Sequence, residues 1–389
     1  LRATAMTGGG AGWLITGMGA VTSVGRDVAE LFGAVCDGRS GLGELKAFDR
    51  TRFRAGKAYE IDDRAVDGTD EPLRATRWLL TAVAEAVADA GLDPDLGETP
   101  VLVGSTLREL RSVELAWRDG ADFDLARLHF GTALREEFGA TGTYTMANAC
   151  SASLYALGMA ADLLDLGEAD TVVVAGTDTI SESTYGMLDR VYPLPPDAVR
   201  PFDRNRRGML QGDGAAAIVL QRPGAATARA HARVRGVAVN CDARHPSAPD
   251  PASIARVIRQ AHERAGVKPA DIGLVLLHGT GTPLNDEAEA AALSEVFGAD
   301  AAGPWMTAVK SMIGHTAGAS GLHSLIVAVE SLKAGRVPPI TGLAEPIDEV
   351  SRFRLVREHA VPAAPVTAQV DSFGFGGLNA VAIVDREPR

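Results

Sequence analysis

Short apolar runs that end abruptly at glycine or polar residues alternate along this chain with longer stretches whose apolar residues recur at steps of three and four. Runs of the first kind read as buried strands and stretches of the second kind as helices. The pattern predicts strands at Trp13–Val21, Pro100–Ser105, Thr143–Ala149, Thr171–Gly176 and Gly214–Leu220. Helices are expected near Val28–Val35 and Leu73–Ala90, the second closed by Gly91. The second half repeats this grammar, with strands at Val234–Val239, Ile272–Leu277, Met306–Val309, Ala368–Phe373 and Ala380–Val384. Helices at Ala252–Ala265, Asp286–Val296 and Ala319–Ala334 lie between them. The chain is therefore α/β, read as two α/β halves of similar grammar over 13–230 and 231–389, with a glycine-rich flexible leader at 1–12 in which Met6 is the natural start.

Composition narrows the classes. The 389 residues are 46% hydrophobic, enough for a sizeable core. A net charge of −12 argues against non-specific binding to nucleic acid or to an anionic membrane. Three scattered cysteines, Cys36, Cys150 and Cys241, with no CxxC pair, signal neither a disulfide framework nor a zinc cluster and fit a reducing cytoplasm. No apolar run is expected to span a membrane, and the first residues lack the order of a signal peptide. Between the fourth and fifth strands, a Pro-rich loop leads to Arg204, Arg206 and Arg207. These arginines fit either a docking patch for an acidic partner or a solvated turn pairing with Asp203 and Asp213.

Candidate chemistry sits where strands end. Cys150 follows the strand-like Thr143–Ala149 and precedes Leu154, Leu157, Ala161 and Leu164, one helical face. A thiol at a helix start meets unpaired N–H groups and the positive end of the helix dipole, which favour thiolate and offer donors to an oxyanion. The same residue also fits a small buried cysteine in a core turn. Three further islands follow strands. In one, His278 is succeeded by a glycine-rich loop carrying Thr280 and Thr282. In another, Lys310 precedes His315 in a turn that opens a helix. In the last, Asp371-Ser372-Phe373-Gly374-Phe375-Gly376-Gly377 permits close backbone approach, with the N–H of Phe375 a candidate oxyanion donor. A thiol, two histidines, a lysine and two glycine-rich loops suggest carbonyl chemistry through a covalent intermediate. The histidines lack metal-ligand spacing, so no metal is expected. Gly17-Met18-Gly19 does not continue into GxGxxG, so nucleotide binding is weakly supported.

These islands, in this order, resemble the β-ketoacyl synthase family of the thiolase fold, the condensing enzymes of fatty-acid and polyketide assembly. The resemblance begins at Ile15–Thr22 and continues through Ala149-Cys150-Ser151-Ala152, Pro201-Phe202-Asp203 and Gly212-Asp213-Gly214. It implies a layered αβαβα architecture and a nucleophilic Cys150 that takes an acyl group from a carrier-protein thioester. Its own N–H and that of Phe375 would form the oxyanion hole, and Phe375 would also gate the acyl pocket. His278 and His315 would assist malonyl decarboxylation, Lys310 would hold a charge network around His315 and Glu289, and Thr280 and Thr282 would contact the phosphopantetheine arm. No bound cofactor is implied, since substrates ride on that arm. Partners implied are an acyl carrier protein, which favours docking at Arg204, Arg206 and Arg207, and a second subunit in a homodimer or heterodimer.

The expected activity is decarboxylative condensation with malonyl-carrier protein to a 3-oxoacyl product, by a discrete enzyme of a polyketide or specialised fatty-acid route. Two alternatives remain open: transfer of the acyl group to an alcohol or amine, and a chain-length partner subunit without activity of its own. Departures from the family pattern concern the pocket. The stretch between Ser105 and Cys150 is short, Ala121–Gly139 reads as acidic and helical, Gly176-Thr177-Asp178 replaces a Gly-Gly-Ala-Glu pattern, and Met187 stands where a second gating aromatic is expected.

Overall fold

The computed structural model describes residues 12–64, 68–226 and 228–387, so nearly all of the expected leader, Met6 included, lies outside the described residues. The first half runs β1 (Trp13–Thr22), α1 (Val28–Cys36), β2 (Gly43–Glu44), β3 (Lys57–Ala58), α2 (Arg74–Asp89), β4 (Val101–Gly104), α3 (Leu110–Asp119), α4 (Gly131–Phe138), β5 (Thr143–Met146), α5 (Ala152–Leu166), β6 (Thr171–Asp178), α6 (Glu182–Val191) and β7 (Gly214–Gln221). The second runs β8 (Ala232–Cys241), α7 (Pro251–Ala265), β9 (Leu274–Leu276), α8 (Pro283–Phe297), β10 (Trp305–Thr307), α9 (Lys310–Ile313), α10 (Ser320–Ala334), β11 (Arg336–Val337), β12 (Arg354–Leu355), β13 (Val361–Pro362), β14 (Thr367–Gly374) and β15 (Leu378–Arg386). Each expected strand is present. α3 and α6 were not expected, because their apolar residues are interrupted by charge and, in α6, by Gly186.

Eleven strands join one sheet in the order β12-β10-β9-β14-β15-β8-β1-β7-β6-β4-β5. β1 joins β8 where Trp13, Leu14 and Ile15 pair with Val234, Arg233 and Ala232. α5 and α10 pack on each other and touch strands of both halves, so the sheet folds around them. α2 covers the outer face of β1, β7 and β6, while α7 covers β8 and β15 and carries α8. The layers are thus α, β, α, β, α, a thiolase-like arrangement. Strands buried on both faces explain the near-continuous apolar runs, such as the fully buried β7.

Two local readings change. Gly17 and Gly19 serve packing: a Cβ at Gly17 would lie 2.0 Å from the Ala86 carbonyl oxygen, and one at Gly19 equally close to that of Ala82. Only glycine lets α2 lie this near β1. The stretch Ala149–Leu166, contrary to expectation, is long and apolar enough to cross a membrane, with a mean hydropathy of 1.2. It is the inner helix of the fold: its Leu154, Leu157 and Leu164 belong to the core that α10 and both halves of the sheet share.

Candidate active site

β5 ends at Met146, and the chain turns through Asn148 and Ala149 before Cys150 and Ser151 lead into α5. Ala149 adopts φ of +50°, the left-handed region, which costs a residue with a Cβ roughly 1–2 kcal/mol. The strain is held from the other half of the molecule. Ser372 Oγ of β14 donates to the Cys150 carbonyl at 3.0 Å and Ser320 Oγ of α10 donates to it at 3.4 Å. Ser151 Oγ donates in turn to the carbonyl of Leu378. A Cβ on Gly374 would meet the Ser151 hydroxyl at 3.0 Å and the Cys150 nitrogen at 3.2 Å, so the glycine-rich loop rests directly on the nucleophile's turn.

The thiol's protonation differs from what its place at a helix start suggests. Burial pushes Cys150 up to about 11, against the pull of the Lys310 ammonium and of the Phe375 N–H. Desolvation of a thiolate outweighs the favourable end of the helix here, so the resting group is a thiol. The N–H groups of Phe375 and of Cys150 itself both favour the thiolate, though less than burial disfavours it.

His278 lies just past β9 and Glu289 fixes its backbone: Oε1 accepts from the His278 N–H at 2.6 Å and Oε2 from the Gly279 N–H at 2.9 Å. Lys310 Nζ donates to the His278 carbonyl at 2.6 Å and lies 3.4 Å from its ring Nδ1. The lysine therefore bonds to His278 and acts on His315 and Glu289 through its charge, so the expected charge network gains a direct bond to His278 that the sequence did not indicate. Burial pushes Glu289 up to about 7 and Lys310 down to about 8, and each partly restores the other's charge. The ammonium beside Nδ1 leaves that nitrogen as an acceptor, so the neutral ring carries its proton on Nε2.

The two imidazoles stand 5.6 Å apart, centre to centre, nearly perpendicular. Burial first, then the Lys310 charge, holds both well below the ordinary histidine value, so both are neutral donors at physiological pH. His315 is positioned by its backbone, which donates to the Leu210 carbonyl at 2.9 Å and accepts from Gly212 at 3.0 Å. Neither of its ring nitrogens has a partner among the described residues. A buried imidazole with both nitrogens free is costly unless a substrate supplies the partner.

One cavity gathers Cys150, His278, His315, Thr280, Thr282 and Phe375. The Thr280 and Thr282 hydroxyls lie 2.8 Å apart at its wall, and the Phe375 side chain is exposed beside them. The candidate docking arginines separate. Arg206 is turned inward, donating to Glu287 at 2.8 Å with Asp286 also near, so it serves the fold, while Arg204 pairs with Asp348 at the surface and Arg207 is exposed. Asp203 and Asp213, expected as alternative partners of these arginines, instead cap backbone N–H groups at Ala344 and Glu345 and at Ile61 and Ile180. Met187 lies on the outer side of α6, half-exposed and away from Cys150.

Several buried groups carry roles that the sequence did not assign. Asp178 ends β6 and accepts from the N–H groups of Thr106, Leu107 and Gly318 and from the Ser105 hydroxyl, with burial pushing it up to about 6. His323 is structural, its Nε2 on the Ala215 carbonyl at 3.0 Å. Asp371, beside the glycine-rich loop, is held by the Gln369 amide and lifted well above the usual carboxylate range by burial and by Glu289. Neighbourhood across the fold, not spacing, reveals these. Among the described residues, no cluster of three or more His, Cys, Asp or Glu side chains forms a metal site.

A buried thiol that shares one cavity with two neutral imidazoles, in a thiolase-like frame, defines a cysteine-dependent acyl-transferring enzyme of the condensing class. The chain belongs to the β-ketoacyl synthase family: the model of its N-terminal domain matches residues 14–226 and that of its C-terminal domain 231–344. It is 30% identical to a putative polyketide β-ketoacyl synthase 1 of Streptomyces halstedii, over 95% of this chain and 97% of that protein. It is also 30% identical to the tetracenomycin polyketide synthase ketoacyl synthase alpha subunit of Streptomyces glaucescens, over 96% of each. Among solved structures, the ishigamide ketosynthase/chain length factor superposes with a TM-score of 0.88 at 33% identity, covering 97% of this chain and 99% of that one.

Proposed function

We propose that this chain is a discrete β-ketoacyl synthase of a polyketide or specialised fatty-acid route. The convergence of Cys150 with two buried neutral imidazoles carries the reading. In the first half-reaction an imidazole accepts the thiol proton and the sulfur attacks the carbonyl of an acyl thioester. The N–H groups of Cys150 and Phe375 hold the resulting oxyanion, and the carrier's thiol departs with the proton. In the second, His278 and His315 donate to the thioester oxygen of a malonyl group as carbon dioxide leaves. Those bonds strengthen as enolate charge develops, so they accelerate the step. The enolate carbon attacks the acyl carbonyl and expels the Cys150 sulfur, which regains a proton, giving a 3-oxoacyl thioester.

The acyl and malonyl groups would arrive on the phosphopantetheine of a carrier protein, with Thr280 and Thr282 along the arm and Arg204 and Arg207 receiving the acidic carrier. The open edge of β5, where Tyr144 is 57% exposed, supports pairing with a second copy or a ketosynthase-like partner. The complete site favours a catalytic subunit over a chain-length partner, which needs no nucleophile. A division into halves near residue 230 is supported by the short seam between β1 and β8. A cytoplasmic setting suits a nucleophile that must stay reduced.

Intact mass of the protein after incubation with acyl- and malonyl-carrier protein tests the reading. An adduct on Cys150 and a lengthened, carbon-dioxide-releasing product are expected, and Cys150→Ala is expected to lose both. Acyl transfer to an alcohol or amine without malonyl-dependent carbon dioxide release would favour the acyltransferase alternative instead.

A further inference from the structure

We propose that Met209 sets the length of the acyl group carried on Cys150, by partitioning the catalytic cavity from a second cavity behind it. The inference rests on the acylation of Cys150 proposed above. The cavity holding Cys150 is small, about 30 Å³ on the scale where one water needs roughly 10–15 Å³. Beyond Met209 lies another, about 10 Å³, lined by Ala55, Tyr185, Leu188, Tyr192 and Gln211 among others. Met209 is the one residue that lines both.

The partition is a single side chain. Met209 packs with Leu188 and Tyr192 in a buried apolar cluster separate from the main cores. Tyr192 is fixed on one side by Gly208, whose φ is +142° and whose missing Cβ would lie 2.7 Å from the phenol ring. Its hydroxyl meets the backbone of Met209. The packing of Tyr192 on Gly208 leaves the backbone at 208–209 little room to move, so any opening falls to the side chain, and methionine, unbranched with three rotatable bonds, is suited to that. The space behind it is lined mostly by apolar and aromatic groups; its one carboxylate, Asp189, is occupied by the N–H groups of Arg54 and Ala55, whereas the Gln211 side-chain carbonyl, itself buried, has no partner among the described residues. A chain end carrying a hydroxyl would satisfy it. In the resting arrangement a short acyl group fits, and a longer one enters only by displacing the Met209 side chain.

The test loads the full-length protein with saturated acyl-carrier proteins from acetyl to dodecanoyl and reads adducts by intact mass as the ratio of long to acetyl loading. Met209→Ala is expected to raise that ratio by about fourfold for each methylene newly housed, and Met209→Phe to lower it. Leu188→Ala, which widens only the rear cavity, is expected to shift the ratio less than about twofold alone and to add to it strongly in combination with Met209→Ala. A wild-type ratio unchanged in all three variants overturns the partition while leaving acylation intact. Failure of the wild type to load any acyl group overturns the underlying reading.

Discussion

His278 and His315 stay neutral because burial withholds the water that an imidazolium needs and the Lys310 charge stands beside them. A histidine whose folded pKa is depressed contributes stability that is complete above its unfolded value of about 6.5 and is lost as the pH falls through the folded value. The rate of malonyl decarboxylation is accordingly expected to hold as pH is lowered through about 6.5, where an unshielded imidazole would protonate. Lys310→Met removes one cause of the depression at both rings, so its acid limb is expected at higher pH than the wild type's. Coincident profiles for the two proteins would contradict the assignment. At this scale the sequence was informative about identity and silent about environment. Cys150, His278, Lys310 and His315 stood out because each ends a strand or opens a helix. That burial overrules the helix start at Cys150, and that Lys310 bonds to His278, depends on residues such as Glu289 and Ser372 that arrive from other elements.

Elements with strong periodicity were readable to within a few residues, as β7 and α7 illustrate. Those shaped by close approach were not. Gly17 and Gly19 look like a broken nucleotide fingerprint in one dimension and are contact points for α2 in three. Gly19→Ala is expected to cost about 1–3 kcal/mol, since the new methyl meets a backbone carbonyl that shifts only with the whole helix. A lower urea midpoint with an unchanged slope is the expected sign, and an unaltered midpoint would show that α2 yields freely. α6 illustrates a second limit. Its inner face, with Tyr185 and Leu188, backs the rear cavity, while its outer face bears Met187 beside the exposed Trp117 of α3. Two such different faces on ten residues with a central glycine leave no single period to detect.

The molecule as a whole brings distant stretches of chain to one place: Cys150 lies between β5 and α5, whereas His278, Lys310, His315 and Phe375 all follow β8. The repeated strand-helix order was legible, but not the way one sheet folds around α5 and α10, because three pairings at β1 and β8 decide it. The unpaired edge of β5 leads to an assembly prediction. Tyr144→Asp is expected to shift the protein from dimer to monomer in sedimentation velocity, and an unchanged dimer would place the interface elsewhere. The burial of Cys150 also bears on how the enzyme endures between turnovers. Oxidants and alkylating agents attack thiolates, and a sulfur held up to about 11 is almost wholly protonated. In an unfolded or half-assembled chain the same cysteine reverts to an ordinary value near 8.5 and becomes the more vulnerable group. Correct folding thus keeps this sulfur chemically quiet, so that it stays intact for the acyl group proposed to load on it.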